Sequence, residues 1–318
     1  MPYIAPQAEQ HTAVGRTSSV TGHITNQGTM VITGTFTVQM ATIKSDQSQR
    51  RRTLGRVSGI YDDPEAYELA CAYRDVPAEV DALLGWCERH RPGDRGRIRS
   101  VLELAAGPAE HAIELARRGI AATALDLSPA MCERARERAA RAGIELMVAE
   151  ADMRDFRIRG RFDLAITMLN SLCHLLVLDD LVAHLRAVAG HLAGGGLYVM
   201  ELGHPADHFG GVPRTSSEWD SRHDGVRAHV RWGGPMDTID PITQVTDERV
   251  VVTVRDGTAV RVITDVVPNR FWTATEVDAA VRLAGGFTIT ARYGAFDDST
   301  PLDAPDAWRM IVILRRDA

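Results

Sequence analysis

Between residues 98 and 204, short apolar runs alternate with stretches whose apolar positions recur at helical spacing. Val101–Leu104 is an apolar run. It is followed by a tight turn at Gly107, an amphipathic stretch, and a second apolar run that ends on Asp126. This predicts a strand, a helix and a parallel strand. Ser128-Pro129 supplies an N-cap and a proline for the first helical position of the next helix, which Gly143 closes. A third apolar strand over 144–153 ends in Asp152-Met153, and a fourth over 162–169 runs into Asn170-Ser171. The next helix, Leu181 to Leu192, presents Leu181, Leu185, Val188 and Leu192 on one face, with Asp179 or Asp180 as its cap. A Gly194-Gly195-Gly196 break then precedes a fifth strand, Leu197–Leu202. Strands alternating with helices make a parallel sheet whose C-terminal strand ends converge on one crevice.

The flanks have a different pattern. Residues 61–90 read as helical, with Val80, Leu83, Leu84 and Cys87 on one side. Residues 205–270 hold alternating strands such as Glu248–Val254 and Val260–Val266, an antiparallel insertion. A helix over Thr275–Ala284 and strands Phe287–Tyr293 and Trp308–Leu314 complete the sheet. Residues 1–50 are rich in Thr, Ser and Gln, and a hairpin pairing Val20–Thr25 with Met30–Val38 or a disordered extension both fit them. Arg50-Arg51-Arg52 and Arg56 read as a basic linker.

The first turn suggests a ligand. Its backbone N–H groups lie at a helix N-terminus, and Asp126, 19 residues past Gly107, is placed to accept ribose hydroxyls. A dinucleotide turn needs G-x-G-x-x-G to approach a pyrophosphate, whereas Glu103-Leu104-Ala105-Ala106-Gly107-Pro108-Ala109 keeps one glycine and starts with an acid. That disfavours NAD. S-adenosylmethionine has no phosphate, and the ammonium of its methionine end suits a carboxylate such as Glu103.

The chain here resembles the class I S-adenosylmethionine-dependent methyltransferases, in particular amino-sugar N,N-dimethyltransferases and, more loosely, glycine N-methyltransferase. The likeness covers about residues 61–318 and rests on three motifs. D-x-A-C-G-T-G-T-H corresponds to Glu103 through His111, G-D-M-R-D-F to Ala151 through Phe156, and S-S-x-G-H to Asn170, Ser171, Cys173 and His174. Three departures stand in the first motif: Ala109 replaces a glycine, Glu110 adds an anion, and Pro108 removes a donor.

The resemblance implies a Rossmann-like α/β fold: a seven-stranded sheet with helices on both faces, an antiparallel β insertion as substrate cap, and an N-terminal helical lid. The expected organisation is an extension over 1–50, the lid over 51–97, the cofactor-binding core over 98–204, the cap over 205–270 and the C-terminal part of the sheet over 271–318. The implied cofactor contacts are Glu103 near the ammonium, Ala105 and Gly107 around the methionine moiety, and Asp126 on the ribose. Leu127 and Asp152 with Met153 are expected at adenine, and Met168 at the methyl region. His174 and Glu201 are the candidate catalytic groups. Both also count, with Asn170 and Tyr67, as candidate substrate contacts; Tyr61 and Tyr73 are alternative lid tyrosines.

Composition narrows the remaining choices. A chain of 318 residues with net charge −6 gives no general attraction to nucleic acid. The strand-four tip Thr167-Met168-Leu169-Asn170 also lacks the Asn/Asp-Pro-Pro-aromatic motif of base-modifying enzymes. Cys71, Cys87, Cys132 and Cys173 form no C-x-x-C pair and read as reduced thiols of a cytoplasmic protein. No apolar run is long enough to span a bilayer. His204 and His208 flank Pro205 without further ligands, which argues against a metal site. The expected partner is therefore a small molecule, with no nucleic acid and no membrane. N-methylation is the first reading; O-methylation and non-catalytic cofactor binding are the alternatives. Self-association through the N-terminal extension or the cap stays open.

Overall fold

The computed structural model describes residues 59–91, 97–209 and 216–318. The hairpin considered across residues 20–38 and the basic run at residues 50–56 lie outside them. The described chain opens with a 3-10 turn, Ile60–Asp62, and two helices, α1 (Pro64–Cys71) and α2 (Val76–His90). Each helix has an aspartate N-cap and a proline in its first turn. Asp63 accepts from the Ala66 N–H, and Asp75 from that of Ala78.

The core follows as β1 (Ser100–Leu104), α3 (Glu110–Arg117), β2 (Ala121–Asp126), α4 (Pro129–Ala142), β3 (Leu146–Glu150), β4 (Phe162–Thr167), α5 (Leu178–His191) and β5 (Leu192–Gly203). After α6 (Pro205–Phe209) come four long strands, β6 (Ser216–His223), β7 (Val226–Gly233), β8 (Val245–Asp256) and β9 (Ala259–Arg270). Helix α7 (Ala274–Ala284), β10 (Phe287–Tyr293) and β11 (Arg309–Arg316) complete the chain. Two sheets result. One has seven strands in the order β10-β11-β5-β4-β1-β2-β3, and the other is the antiparallel series β6-β7-β8-β9. In the larger sheet β1 pairs in parallel with both β2 and β4, so the strand order reverses there, and β11 runs antiparallel to β5. This reversal point is where an open α/β sheet forms its ligand crevice.

Strand alternation determines which groups reach that crevice. Leu102 and Leu104 of β1 enter the core under α5 and α7, and Val101 enters the one under α2 and α3. Glu103 therefore projects toward α2 and α3. The same count on β5 sends Tyr198, Met200 and Leu202 one way, and Leu197, Val199 and hence Glu201 the other. On β11, Ile311 and Ile313 share the α2 side, which carries Arg309 there as well. Each fully buried Leu or Val in these rows contributes about 1.5–3 kcal/mol, enough to fix the register against a one-residue slip.

Two local expectations are corrected. Neither Asp179 nor Asp180 caps α5. The N-cap is Val177, without a side-chain bond, and both aspartates lie in the first turn, where their charge opposes the helix dipole. The triple glycine does not interrupt the sheet, because β5 runs through it. A Cβ on Gly196 would stand 2.9 Å from the Ala193 carbonyl oxygen and 3.1 Å from that of Asp163, so only glycine fits this close approach.

The turn after β1 takes left-handed backbone at Ala105, Gly107 and Ala109, with φ of 50°, 53° and 60°. For alanine that conformation costs roughly 1–2 kcal/mol. The Ala109 methyl group is fully buried, which returns about 0.8 kcal/mol. The two effects nearly cancel, which is why alanine is tolerated where the resembling family has glycine. Ala109→Gly is accordingly expected to change unfolding free energy by less than about 1 kcal/mol in urea denaturation; a loss above about 3 kcal/mol would show that the methyl group matters more than the strain.

Candidate functional site

The strand tips meet α1 and α2 through a buried chain of charges. Glu201 is fully buried, accepts three hydrogen bonds and makes a second ion pair. Arg74 Nη1 and Arg309 Nε lie 2.9 Å from Oε1, Arg74 Nη2 lies 2.9 Å from Oε2, and the Leu169 N–H donates to Oε2 at 2.8 Å. Three of the roughly four lone-pair sites of a carboxylate are thus taken, and the Arg309 guanidinium stands against Oε1 as well. The structure thus makes Glu201 an anchor for two arginines, in place of the substrate or base contact expected of it. Burial alone would raise its pKa; Arg74, then Arg309, hold it below the usual value.

Arg74 also reaches Glu79 Oε2 at 2.5 Å, and the same oxygen lies 2.7 Å from His111 Nε2. His111 Nδ1 faces Glu103 Oε1 at 3.4 Å, and Glu103 Oε2 accepts from the Ala112 N–H at 2.8 Å. Burial acts to lower the His111 pKa, but its bonds to Glu103 and Glu79 prevail and raise it to about 9. With His111 protonated, three carboxylates (Glu79, Glu103, Glu201) face three cations (Arg74, His111, Arg309) and the chain is neutral. Glu103 is thus already engaged by α3, although it still lines the small cleft where it was expected to meet an ammonium.

At the tip of β2, Asp126 Oδ2 accepts from the Gly107 N–H at 2.7 Å and Oδ1 from the Ser128 N–H at 2.8 Å. Burial raises its pKa, and the N–H groups of Ser128, Gly107 and Leu127 oppose the rise. Three of its roughly four lone-pair sites are taken in this way, which leaves capacity for a further hydroxyl. Beside it the Leu127 side chain is 61% exposed, an apolar surface at the crevice mouth. Asp152 lies at the start of the loop after β3. Arg154 grips both of its oxygens and holds its pKa below the usual value. Met153 contributes its carbonyl to His184 Nδ1 at 2.8 Å. Since that nitrogen donates, His184 Nε2 accepts from the Tyr198 hydroxyl at 2.6 Å, and Tyr198 lies 2.7 Å from Thr167 Oγ1. This buried row fixes the loop carrying Asp152 against α5, β5 and β4.

Tyr67, Ala105, Met168 and Ser171 line the cleft between α1 and the strand tips together with Glu103. The space left there is about 20 Å³, room for about one water. An ideal Cβ on Gly107 would touch the Tyr67 ring at 3.6 Å, which shows how closely α1 approaches the turn. Tyr61 lies deeper, its hydroxyl 3.1 Å from His174 Nε2 and its carbonyl accepting from Ser128 Oγ at 2.9 Å. The other His174 nitrogen donates to the Pro268 carbonyl, so Nε2 accepts from Tyr61. Burial lowers the His174 pKa to about 4. Asn170, in left-handed backbone, accepts from the Gly203 N–H at 2.9 Å and so braces β4 against β5. Tyr73 is half exposed and stands edge-on to Trp219, away from the cleft residues. Glu110 pairs with Arg138 at 2.9 Å, which balances its charge near the turn. His204 is held by the Leu302 carbonyl and the Ala206 N–H, and no cluster of three metal-ligating side chains occurs among the described residues.

Sequence reasoning missed Arg74, Glu79, His111, His184, Tyr198 and Arg309. For His111 a signal was present, since it fills the histidine position of the first motif.

The topology agrees with known proteins. Residues 101–196 match the family described as Methyltransferase domain. The cypemycin N-terminal methyltransferase of a Streptomyces species is 29% identical over 151 residues, 46% of this chain and 58% of that protein. The dTDP-3-amino-3,4,6-trideoxy-alpha-D-glucopyranose N,N-dimethyltransferase of Streptomyces venezuelae is 28% identical over 44% of this chain and 56% of that protein. The chain thus spans somewhat more than half the length of these curated relatives. The crystal structure of Streptomyces venezuelae DesVI superposes with a TM-score of 0.65 at 23% identity, covering 80% of this chain and 98% of that one. Residues 101–196 are thus similar to a methyltransferase domain, and the chain shares the fold of the Streptomyces venezuelae structure. None of the described helices is long and apolar enough to cross a membrane.

The charge chain makes a pH prediction. The folded His111 pKa, about 9, exceeds the ordinary 6.5, so its contribution to stability is complete below pH 6.5 and is lost as pH rises through 9. Thermal melts should show wild type losing stability across that window more steeply than His111→Gln. His111→Ala, which leaves Glu79 and Glu103 short of a cation, should cost about 3–5 kcal/mol at pH 7. Equal pH slopes would contradict the charged assignment.

Proposed function

We propose that the chain is an S-adenosylmethionine-dependent methyltransferase that methylates nitrogen on a small-molecule amine. The observation that carries this is Asp126, held at the tip of β2 against the Ala105–Ala109 turn with capacity left to accept a ribose hydroxyl. The neighbouring groups fit the rest of that cofactor. Exposed Leu127 offers a surface for adenine, Asp152 an acceptor for its amino group, and Ala105, Gly107 and Met168 a wall for the methionine end. The nitrogen acceptor is supported by the two curated N-methyltransferase relatives and by the acidic balance of the chain.

When bound, the cofactor supplies an electrophilic methyl group on a positively charged sulfur. The protein's own part is alignment and exclusion of water, worth roughly 7–11 kcal/mol when reacting atoms are held in line. Tyr61 and Tyr67 close the cleft over the strand tips, and admission of donor and acceptor requires Tyr67 to move from the turn. His174 stays neutral at physiological pH, so its Nε2, once released by the Tyr61 hydroxyl, orients an acceptor N–H or O–H by accepting its hydrogen bond. It is too weak a base in this setting to strip an alkylammonium, so the amine reacts as the free base.

Asp126→Ala should weaken S-adenosylmethionine binding by about 1.5–3 kcal/mol in isothermal titration, since it removes charge-assisted hydrogen bonds. Unchanged affinity would sink the cofactor assignment. In a methyl-transfer screen of amino sugars, other amines, phenols and nucleic acid, amines should be the acceptors; transfer confined to phenols would favour O-methylation. The rate–pH profile should carry no inflection near 6.5 that His174→Gln removes, since His174 titrates near 4.

A further inference from the structure

Five carboxylates are buried among the described residues, and four of them face a cation. Glu79, Glu103 and Glu201 belong to the charge chain, and Asp237 pairs with Arg249 at 3.2 Å. The fifth is Glu248, on the inner face of β8 and 7% exposed. It has no ion pair among the described residues. Its donors are neutral, Trp232 Nε1 at 2.9 Å and the Asn269 amide, and both converge on Oε2 and leave Oε1 clear of them. The charge that acts on it is the like charge of Asp237. A buried carboxylate without a counter-charge is costly and calls for a cation from elsewhere.

A second, independent observation lies two residues away. Thr246 is 3% exposed, and its Oγ1 has no hydrogen-bond partner. Strand alternation puts Thr246 on the same face as Glu248, and it pairs in register with Asn269. This polar patch adjoins the strand-four tip. Cys173 Sγ donates to Asn269 Oδ1 at 3.2 Å, and the next residue, His174, donates to the carbonyl of Pro268.

We propose that Glu248 and Thr246 recognise the acceptor, the carboxylate taking its ammonium and the hydroxyl taking an adjacent oxygen. The acceptor class is then a small hydroxylated amine of the amino-sugar kind, and this rests on the N-methylation reading above. A charged hydrogen bond at a buried site corresponds to about tenfold or more in affinity.

The test uses the full chain with S-adenosylhomocysteine present, titrated with D-glucosamine and with D-glucose. Wild type should bind the amine at least about tenfold more tightly than the neutral sugar. Glu248→Gln, which keeps an oxygen for Trp232 and Asn269, should erase that preference and melt at or above the wild-type temperature. Thr246→Val should weaken both sugars alike. No binding of glucosamine, equal binding of the two sugars by wild type, or an unaltered preference in Glu248→Gln would overturn the assignment, as would a large drop in its melting temperature. Should no amine be methylated while glucosamine binding still depends on Glu248, the reaction reading fails and the recognition assignment stands.

Discussion

The burial of Glu201 under two guanidinium groups is the constraint around which the rest is arranged. A carboxylate in that position is tolerable only if cations reach it, and they come from distant segments: Arg74 between α1 and α2, and Arg309 at the start of β11. Arg74 in turn requires Glu79, Glu79 requires His111, and His111 requires Glu103. One buried acid thereby ties the N-terminal helices, the turn after β1, the β4 tip and the antiparallel edge of the sheet together. Replacing such a chain with apolar groups need not destabilise a protein, whereas removing one member leaves an unmatched charge. The arrangement therefore gives positional accuracy at the crevice more than it gives stability.

Much of the core was legible in the sequence because its elements are periodic and local. The alternation of Val101 to Leu104, the cap and stop at Ser128-Pro129 and Gly143, and Phe287–Tyr293 can each be read within a short window, and each stands in the structure as an element. The seven-stranded sheet and the antiparallel insertion followed from the order of such windows. The charge chain was not legible, because its pairs are long-range: 127 residues separate Arg74 from Glu201, and 32 separate Glu79 from His111. Glu201 illustrates the difference. Its position at a strand tip was readable, but its three hydrogen bonds and second ion pair depend on segments that no local window contains. The α5 start was misread for the opposite reason, since Asp179 and Asp180 suit a first turn as well as a cap.

The two sheets divide the work by their chemistry. The parallel sheet presents backbone turns and carboxylates at one edge, held by donors both from the strand-end turns and from the distant Arg74. The antiparallel sheet offers a valine-rich inner face, Val250, Val252 and Val254 with Ile263 and Val267, packed on Ile60 and α1. On β8 and β9 the buried polar groups among the described residues lie near the end closest to the β4 tip, at Thr246, Glu248 and Asn269. The segment Ile60–Cys71 lies between the two and is fastened to both. Ser221 and Trp219 cap its carbonyls at Leu69 and Ala70 on one side, and Arg134 and Arg138 hold Glu68 on the other.

The insertion of β11 between β5 and β10 affects how the chain is made. β5 emerges from the ribosome more than a hundred residues before its neighbour, with Leu197–Leu202 apolar and one row of backbone groups unpaired. Until Arg309 arrives, Glu201 has only half its cations, so the nascent molecule holds a sticky, electrostatically incomplete edge throughout translation of the intervening strands. Completion of the fold and completion of the crevice are consequently a single, late event.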